Sequence, residues 1–208
     1  MSNKYFAVIS LLLVSLGLSG CANLHVRPAY QLEWEEHIEQ IEQIQNWKVN
    51  AKLGFKSTDQ SGSVSMNWLQ QKANYTISLR GPLGSGFALI KGNQLMAEMQ
   101  FQNKTFYGTP EQLSDQSLGI SLPFQSTLFW MRGIPSPSHS SAERISFNSS
   151  GTANSFIQSG WLIELSRYEM TDRGYLPRKI IGQCDDNSFK LIISEWDFAI
   201  NEKAFLAD

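Results

Sequence analysis

Metal-ligand chemistry and disulfide cross-links have little to work with in this chain. Its 208 residues hold two cysteines and three histidines. His25, His37 and His139 lie far apart, and none has a second His or a Cys at ligand spacing, so a zinc-type site is excluded. The net charge of −2 leaves no electrostatic footprint for nucleic acid and no polybasic patch for an anionic lipid surface. Beyond the first 18 residues no apolar run is long enough to span a bilayer. A nucleotide-binding loop is missing as well. Gly81-Pro82-Leu83-Gly84-Ser85-Gly86 is followed by Phe87 and Ala88, where a P-loop needs Lys and Ser/Thr to hold phosphate and Mg²⁺. The same segment lacks the strand-to-helix setting of a nucleophile elbow.

What is present starts at the N-terminus. Lys4 precedes an apolar run from Tyr5 to Leu18 that is broken only by serines and one glycine. A basic start, a short apolar stretch and small residues before a cut site make a secretory signal peptide, residues 1–20. Leu18-Ser19-Gly20-Cys21 resembles the lipobox of bacterial lipoproteins. That resemblance makes Cys21 the first residue of the mature chain, lipidated on sulfur and acylated on nitrogen. Residues 21–30 then read as a tether. Loss of Lys4 lowers the 17 basic residues to 16 against 19 acidic ones, a net charge of −3. With Cys21 consumed, Cys184 has no partner for an intramolecular disulfide, and its place before Asp185-Asp186-Asn187 predicts a half-buried strand residue. Residue 22 is Ala, not the Asp that retains lipoproteins at the inner membrane. By the same family rule, the address is the inner leaflet of the outer membrane.

Residues 31–208 read as one domain. Leu32, Trp34, Ile38, Ile41 and Ile44 recur at helical spacing among Glu and Gln, which predicts an amphipathic helix over 31–46 with its acidic side in water. From Trp47 the period changes to two. Val64, Met66 and Trp68 share one face of their segment, and Tyr75, Ile77 and Leu79 share one face of the next. Further strands are predicted near 86–92, 93–101, 103–108, 143–148, 154–159, 160–169, 178–184 and 188–197, with a tight turn at Gly92-Asn93. The pattern is mainly β, an antiparallel sandwich or barrel of about eleven strands with one wet face. A helical insertion over 110–133 interrupts it. Thr109-Pro110-Glu111-Gln112 is a strong helix start, and Leu122 to Arg132 places Phe124, Leu128 and Met131 on one stripe.

Catalytic groupings are thin. His139 lies among Ser136, Ser138, Ser140 and Ser141, but a Pro/Ser loop cannot hold a nucleophile and its base in register unaided. Asp185-Asp186 is ordinary turn chemistry. No cofactor is implied, and no enzyme activity is expected. Leu83 is the residue left unexplained: pinned between Pro82 and Gly84 at a hairpin tip, it has few neighbours to pack on. The aromatic and Met residues of the inner face fit either a filled core or a hollow one, since a curved sheet roofed by helices can enclose a ligand cavity.

Several stretches together resemble the LolB family of outer-membrane lipoprotein receptors. They are the lipobox; Trp68 with Tyr75; Leu79-Arg80-Gly81-Pro82-Leu83-Gly84; Leu122-Pro123; Trp130-Met131-Arg132-Gly133-Ile134-Pro135; Gly160-Trp161; and Leu191-Ile192-Ile193-Ser194-Glu195-Trp196. The resemblance implies a half-open antiparallel barrel with a helical lid, acting as a monomer. It implies receipt of acylated lipoproteins from a LolA-type periplasmic carrier, with their acyl chains held in an apolar cavity, and delivery into the outer membrane. Val64, Met66, Trp68, Tyr75, Ile77 and Leu79 become cavity candidates, with Phe124, Leu128 and Met131 on the lid. Pro82, Leu83 and Gly84 become a membrane-insertion loop. The alternative reading is a structural or interaction lipoprotein of an envelope assembly, with a filled β core.

Overall fold

The computed structural model describes residues 29–82, 86–137 and 140–199, with side chains described from residue 33 onward in the first of these. Cys21, the signal segment, the tether up to residue 28, Leu83, Gly84 and His139 lie outside the described residues, and the last two tether residues, Ala29 and Tyr30, already belong to the helix that follows. Helix α1 (Ala29–Glu42) leads into six antiparallel strands: β1 (Asn46–Lys56), β2 (Ser61–Gln71), β3 (Asn74–Arg80), β4 (Phe87–Asn93), β5 (Ala97–Phe101) and β6 (Lys104–Gly108). Helices α2 (Pro110–Leu118) and α3 (Phe124–Met131) follow. The chain ends in β7 (Glu143–Phe147), β8 (Ala153–Gln158), β9 (Trp161–Thr171), β10 (Gly174–Cys184) and β11 (Asn187–Asp197). All eleven strands form one sheet in the order β6-β5-β4-β3-β2-β1-β11-β10-β9-β8-β7. Two meanders are thus joined where β1 pairs with β11, and among the described residues β6 and β7 form the two edges of the sheet. The expected mainly β, antiparallel fold with eleven strands and a helical cover is present, as an open sheet.

Strand alternation fixes which face is buried. Along β1, Trp47, Val49, Ala51 and Leu53 are buried while their neighbours are wetter, and β3 repeats this with Tyr75, Ile77 and Leu79. A bulge between Asn50 and Ala51 changes the phase of β11. Asn50 faces Glu195 and Ala51 faces Ile193, so Ser194 is the extra residue, and its hydroxyl donates to Asn50 O at 2.8 Å. The shift turns Trp196 onto the face of Leu191 and Ile193, where its ring meets Trp47 edge-on at 5.5 Å.

Several expected boundaries move. The helix predicted to reach residue 46 ends at Glu42, because Trp47 must already alternate as a strand residue, and Arg132 captures the carbonyls of Ile41 and Ile44 at 3.1 and 2.8 Å. Gly92 is not in the turn assigned to it. It sits in β4 opposite Ala97, where a Cβ would come within 2.6 Å of the Ala97 Cβ. Asn93 makes the turn instead, its amide donating to Met96 O at 3.0 Å and its side-chain oxygen accepting from Leu95 N at 2.8 Å. The strand expected from 93 therefore starts at Ala97. The acidic residues Glu33, Glu35, Glu36, Glu39 and Glu42 are exposed, as the helical spacing requires, but His37 on the same helix is buried.

The link from β6 to β7 has to cross between the two edges, and two buried groups fix its far end. Gln158 uses its whole amide: the oxygen accepts from Trp130 Nε1 (2.8 Å) and Ser136 N (2.9 Å), and the nitrogen donates to Ser136 O (2.9 Å) and Ser140 O (2.8 Å). Arg132 donates to Leu128 O as well as to the end of α1. Burial lowers its pKa to about 10, with Glu42 opposing the shift, so the guanidinium stays charged at neutral pH. Gly133 between them has φ +88°, and a Cβ there would come within 3.0 Å of the Tyr168 hydroxyl and of Pro177 Cδ. The Trp-Met-Arg-Gly-Ile-Pro motif is thus a clamp.

Two predictions follow from this packing. Gln158→Leu keeps the volume but takes one hydrogen bond from the Trp130 indole, two from Ser136 and one from Ser140; the expected loss is about 2–4 kcal/mol, read as a fall in Tm on the order of 10 °C. An unchanged Tm would refute the clamp. His37 has no partner at Nε2, and burial lowers its pKa to about 4 from 6.5. Its neutral form is therefore the folded form: that stability is complete above pH 6.5 and is lost as pH falls towards 4. The urea midpoint should drop over this window, and His37→Phe should reduce the drop.

Candidate functional site

The inner face is filled at one end and hollow at the other. Towards the β2–β3 turn, Phe124 of α3 stacks on Trp68 at 5.1 Å and tilts against Tyr75 at 4.5 Å, while Trp68 meets Trp47 at 5.6 Å. Such rings bury large areas and leave little free space. Towards the β3–β4 loop lies a cavity of about 420 Å³. Phe55, Val64, Leu79, Ala88, Met99, Phe101 and Phe106 line it from the sheet, and Leu118 and Ser117 from the end of α2. Gln116 of α2, Gly81 and Gly86 complete the lining. These two glycines frame the loop that carries Leu83, and Gly81 N donates to Gly86 O at 3.1 Å across its base. A smaller space of about 70 Å³ adjoins it under α2 and α3, lined by Met66, Trp68, Tyr75, Ile77, Leu113 and Phe124 among others, with Leu79, Ser117 and Leu118 common to both.

The elements over this space are set locally. Thr109 caps α2 through a reciprocal pair: its hydroxyl accepts from Gln112 N, and Gln112 Oε1 accepts from Thr109 N at 2.9 Å. Gly119 ends the helix in the left-handed region, φ +66°. Glu111 reaches across to accept from Phe124 N at 3.1 Å, which satisfies an orphan amide of α3. Helices α2 and α3 are therefore tied to each other as well as to the sheet.

The sequence-derived candidates divide accordingly. Val64 and Leu79 border the large cavity, and Met66, Trp68, Tyr75, Ile77, Leu79 and Phe124 border the small one. Leu128 and Met131 do not join them. Leu128 lies on a depression at the opposite end, with Glu42, Lys72 and Arg132, while Met131 is buried and lines neither cavity. Helix α3 runs away from the cavity after its first turn, so a common helical stripe does not mean a common site. Phe55, Ala88, Met99, Phe101, Phe106 and Leu118 were not anticipated. Met99 and Phe101 carry the same alternation as β2 and β3, but the strand is short and its pairing with β4 is what brings them to the mouth.

Among the described residues no charged side chain lines either space. Tyr75 is 4 % exposed and its buried hydroxyl lacks a hydrogen-bond partner; burial first, and Glu111 second, hold its pKa above the ordinary phenol value, so it stays protonated. Cys184 is half-buried at the far end of β10, where burial and the Asp185 carboxylate push its thiol up. Among the described residues no three His, Cys, Asp or Glu side chains are grouped to hold a metal, and no helix is long and apolar enough to cross a membrane.

The fold is shared with known structures. A LolA superfamily protein from Nitrosomonas europaea superposes with a TM-score of 0.53 at 9 % identity, over 84 % of this chain and 97 % of that one. A DUF1329 family protein from Desulfovibrio piger gives 0.52 at 7 % identity, over 83 % and 94 %. At that identity the likeness defines the fold class, a LolA-like open sheet with a helical cover. Sequence narrows it further. The family model described as "Outer membrane lipoprotein LolB" matches residues 45–196. The outer-membrane lipoprotein LolB of Pseudomonas fluorescens is 32 % identical over 200 residues, covering 93 % of this chain and 95 % of the relative. That of Pseudomonas savastanoi is 33 % identical over 196 residues, covering 91 % and 94 %. The chain belongs to the LolB family, and its place is the outer membrane.

Filling the cavity tests whether it is the site of apolar binding. Ala88→Phe adds a ring to the lining, and the affinity for a fluorescent apolar probe should fall about tenfold, ~1.4 kcal/mol. Undiminished probe binding with unchanged circular dichroism would show that ligands go elsewhere.

Proposed function

We propose that this protein, anchored by lipid on Cys21 after removal of residues 1–20, receives acylated lipoproteins from a LolA-type periplasmic carrier and incorporates them into the outer membrane. The observation that carries the reading is the continuity of the 420 Å³ apolar cavity with Gly81 and Gly86, the two ends of the Pro82-Leu83-Gly84 loop. An acyl chain held there lies beside the segment that would enter the bilayer. The cavity falls in the range of small-molecule clefts, ~300–1,000 Å³. Val64 and Leu79 act as its walls, and Met66, Trp68, Tyr75, Ile77 and Phe124 enclose the smaller space that adjoins it.

The physical need is large. At about 0.8 kcal/mol per methylene, three acyl chains of roughly fifteen methylenes would expose some 36 kcal/mol of apolar cost to water. Cargo therefore moves between protein interiors, and it moves downhill in affinity from carrier to receptor to bilayer. No covalent chemistry is required, so the protein acts as a transfer factor and not as an enzyme, working as a monomer without a cofactor. Leu83 supplies the last step: an apolar side chain at a loop tip enters the bilayer surface and gives the acyl chains a path out.

The mature lipidated protein, mixed with a cargo-loaded carrier and vesicles, should take cargo from the carrier and pass it to lipid. Leu83→Glu should leave receipt intact and slow delivery by about tenfold or more, since an ionised carboxylate opposes burial in hydrocarbon. A carrier that keeps its cargo in the presence of this protein sinks the receptor reading; wild-type delivery by the Leu83→Glu variant sinks only the role of the loop.

A further inference from the structure

The root of the loop carries a feature on its outer side that the transfer reading does not use. Arg80 ends β3 and pairs across the hairpin with Phe87, which starts β4. Leu79 and Ala88 point into the cavity, so Arg80 and Phe87 point out. The guanidinium carbon lies 5.0 Å from the centre of the Phe87 ring, which is 44 % exposed. Arg80 makes no ion pair with any described residue. On its other flank the outer face of the sheet dips into a hollow of about 290 Å³ lined by Asn50, Ser65, Asn67, Ser78, Arg80 and Ser194. The bulge that displaces Ser194 lies at its far side. Asn50 is engaged, accepting from Asn67 and donating to Glu195 at 2.7 Å. The hydroxyls of Ser65, directly across from Arg80, and of Ser78 carry no hydrogen bond to a described residue.

Resting on the reading that the loop enters the bilayer, we propose that Arg80, backed by Phe87 and flanked by the hydroxyls of Ser65 and Ser78, binds the phosphate of a phospholipid headgroup. The dimensions agree. Leu83 is three residues beyond Arg80, a reach of at most ~10 Å, and the headgroup layer of one leaflet is ~5–7 Å thick. With Leu83 at the edge of the hydrocarbon, Arg80 is at the height of the phosphates. A guanidinium presents a planar fork that matches phosphate oxygens, free hydroxyls supply further donors, and an exposed aromatic ring beside it belongs at the membrane interface.

The surroundings carry the matching charge. The β1–β2, β3–β4 and β5–β6 hairpins open at the same end, and their bases hold Lys56, Arg80 and Lys104 against the single acid Asp59. The acidic pair Asp185 and Asp186 lies at the same end in the β10–β11 turn, beside the β1–β2 hairpin, since Lys56 pairs with Ser188. The stretch of rim from the β1–β2 hairpin to the β5–β6 hairpin, which carries the loop, is net basic and suited to an anionic lipid surface.

The test uses the lipidated full chain reconstituted in phosphatidylglycerol–phosphatidylcholine vesicles. Phosphorus-to-nitrogen dipolar recoupling on arginine-labelled protein reads whether a guanidinium sits at a lipid phosphate, and a nitroxide on Leu83→Cys in a Cys184→Ser background reads the depth of the loop. The coupling should be present in the parent and drop in R80Q, and delivery of cargo into these vesicles should fall about five-fold in R80Q while R80K keeps most of it. A coupling that R80Q leaves unchanged, or no coupling while the nitroxide is in hydrocarbon, overturns the headgroup site and leaves the loop's role standing. A nitroxide that stays in water overturns both.

Discussion

An open sheet with one apolar face has to be covered from within its own chain, and here the N-terminal helix and one crossover do it. Residues 109–142 leave one edge strand, pass over the apolar face as α2 and α3, and rejoin the sheet at the other edge. Short helices have little stability of their own, so their positions depend on how the crossover is fastened. Gln158 holds the end that follows α3 with four hydrogen bonds inside the interior, where an unmade bond is most costly. Arg132 fastens the same end to the C-terminus of α1, where a cation also meets the favourable end of the helix dipole.

One interior is both filled and hollow. Towards the β2–β3 turn, aromatic rings from β1, β2, β3 and α3 close up against each other. Towards the β3–β4 loop, α2 lies over the sheet without a comparable stack of rings, and the space remains open. The acyl-chain reading and the headgroup reading place two chemistries on opposite faces of the same hairpin: Leu79 and Ala88 line the cavity, while Arg80 and Phe87 face outward one residue away. In a strand, successive side chains point to opposite faces, so a step of one residue suffices to bring apolar cargo and polar lipid surface to either side of one loop.

Local sequence determined a good deal. The period-two pattern gave the number of strands, their antiparallel class and the wet face, because alternation is imposed by strand geometry. Thr109-Pro110 and Gly119 marked the ends of α2, because caps answer to the chain's own unpaired amides and carbonyls. The lipobox and the isolation of Leu83 between Pro82 and Gly84 stood out because each is a local oddity that needs no partner. The function class came from a resemblance spread over the whole chain, which no single spacing would have supplied.

Other features were decided only by the tertiary structure, for reasons of the same kind. Leu128 and Met131 share a helical stripe with Phe124, but the direction of α3 relative to the sheet takes them away from the cavity. Gly92 has the composition of a turn, yet the close approach of Ala97 makes it a strand residue. His37 lies on an acidic helix and is buried, because packing against Trp34 and the sheet outweighs its polarity. Lys56, Arg80 and Lys104 are scattered in a chain of slightly negative charge, and only the pairing of three hairpins brings them to one rim. Local geometry is written in neighbouring residues; the meeting of distant ones depends on register, bulges and the course of a crossover, which no short segment encodes.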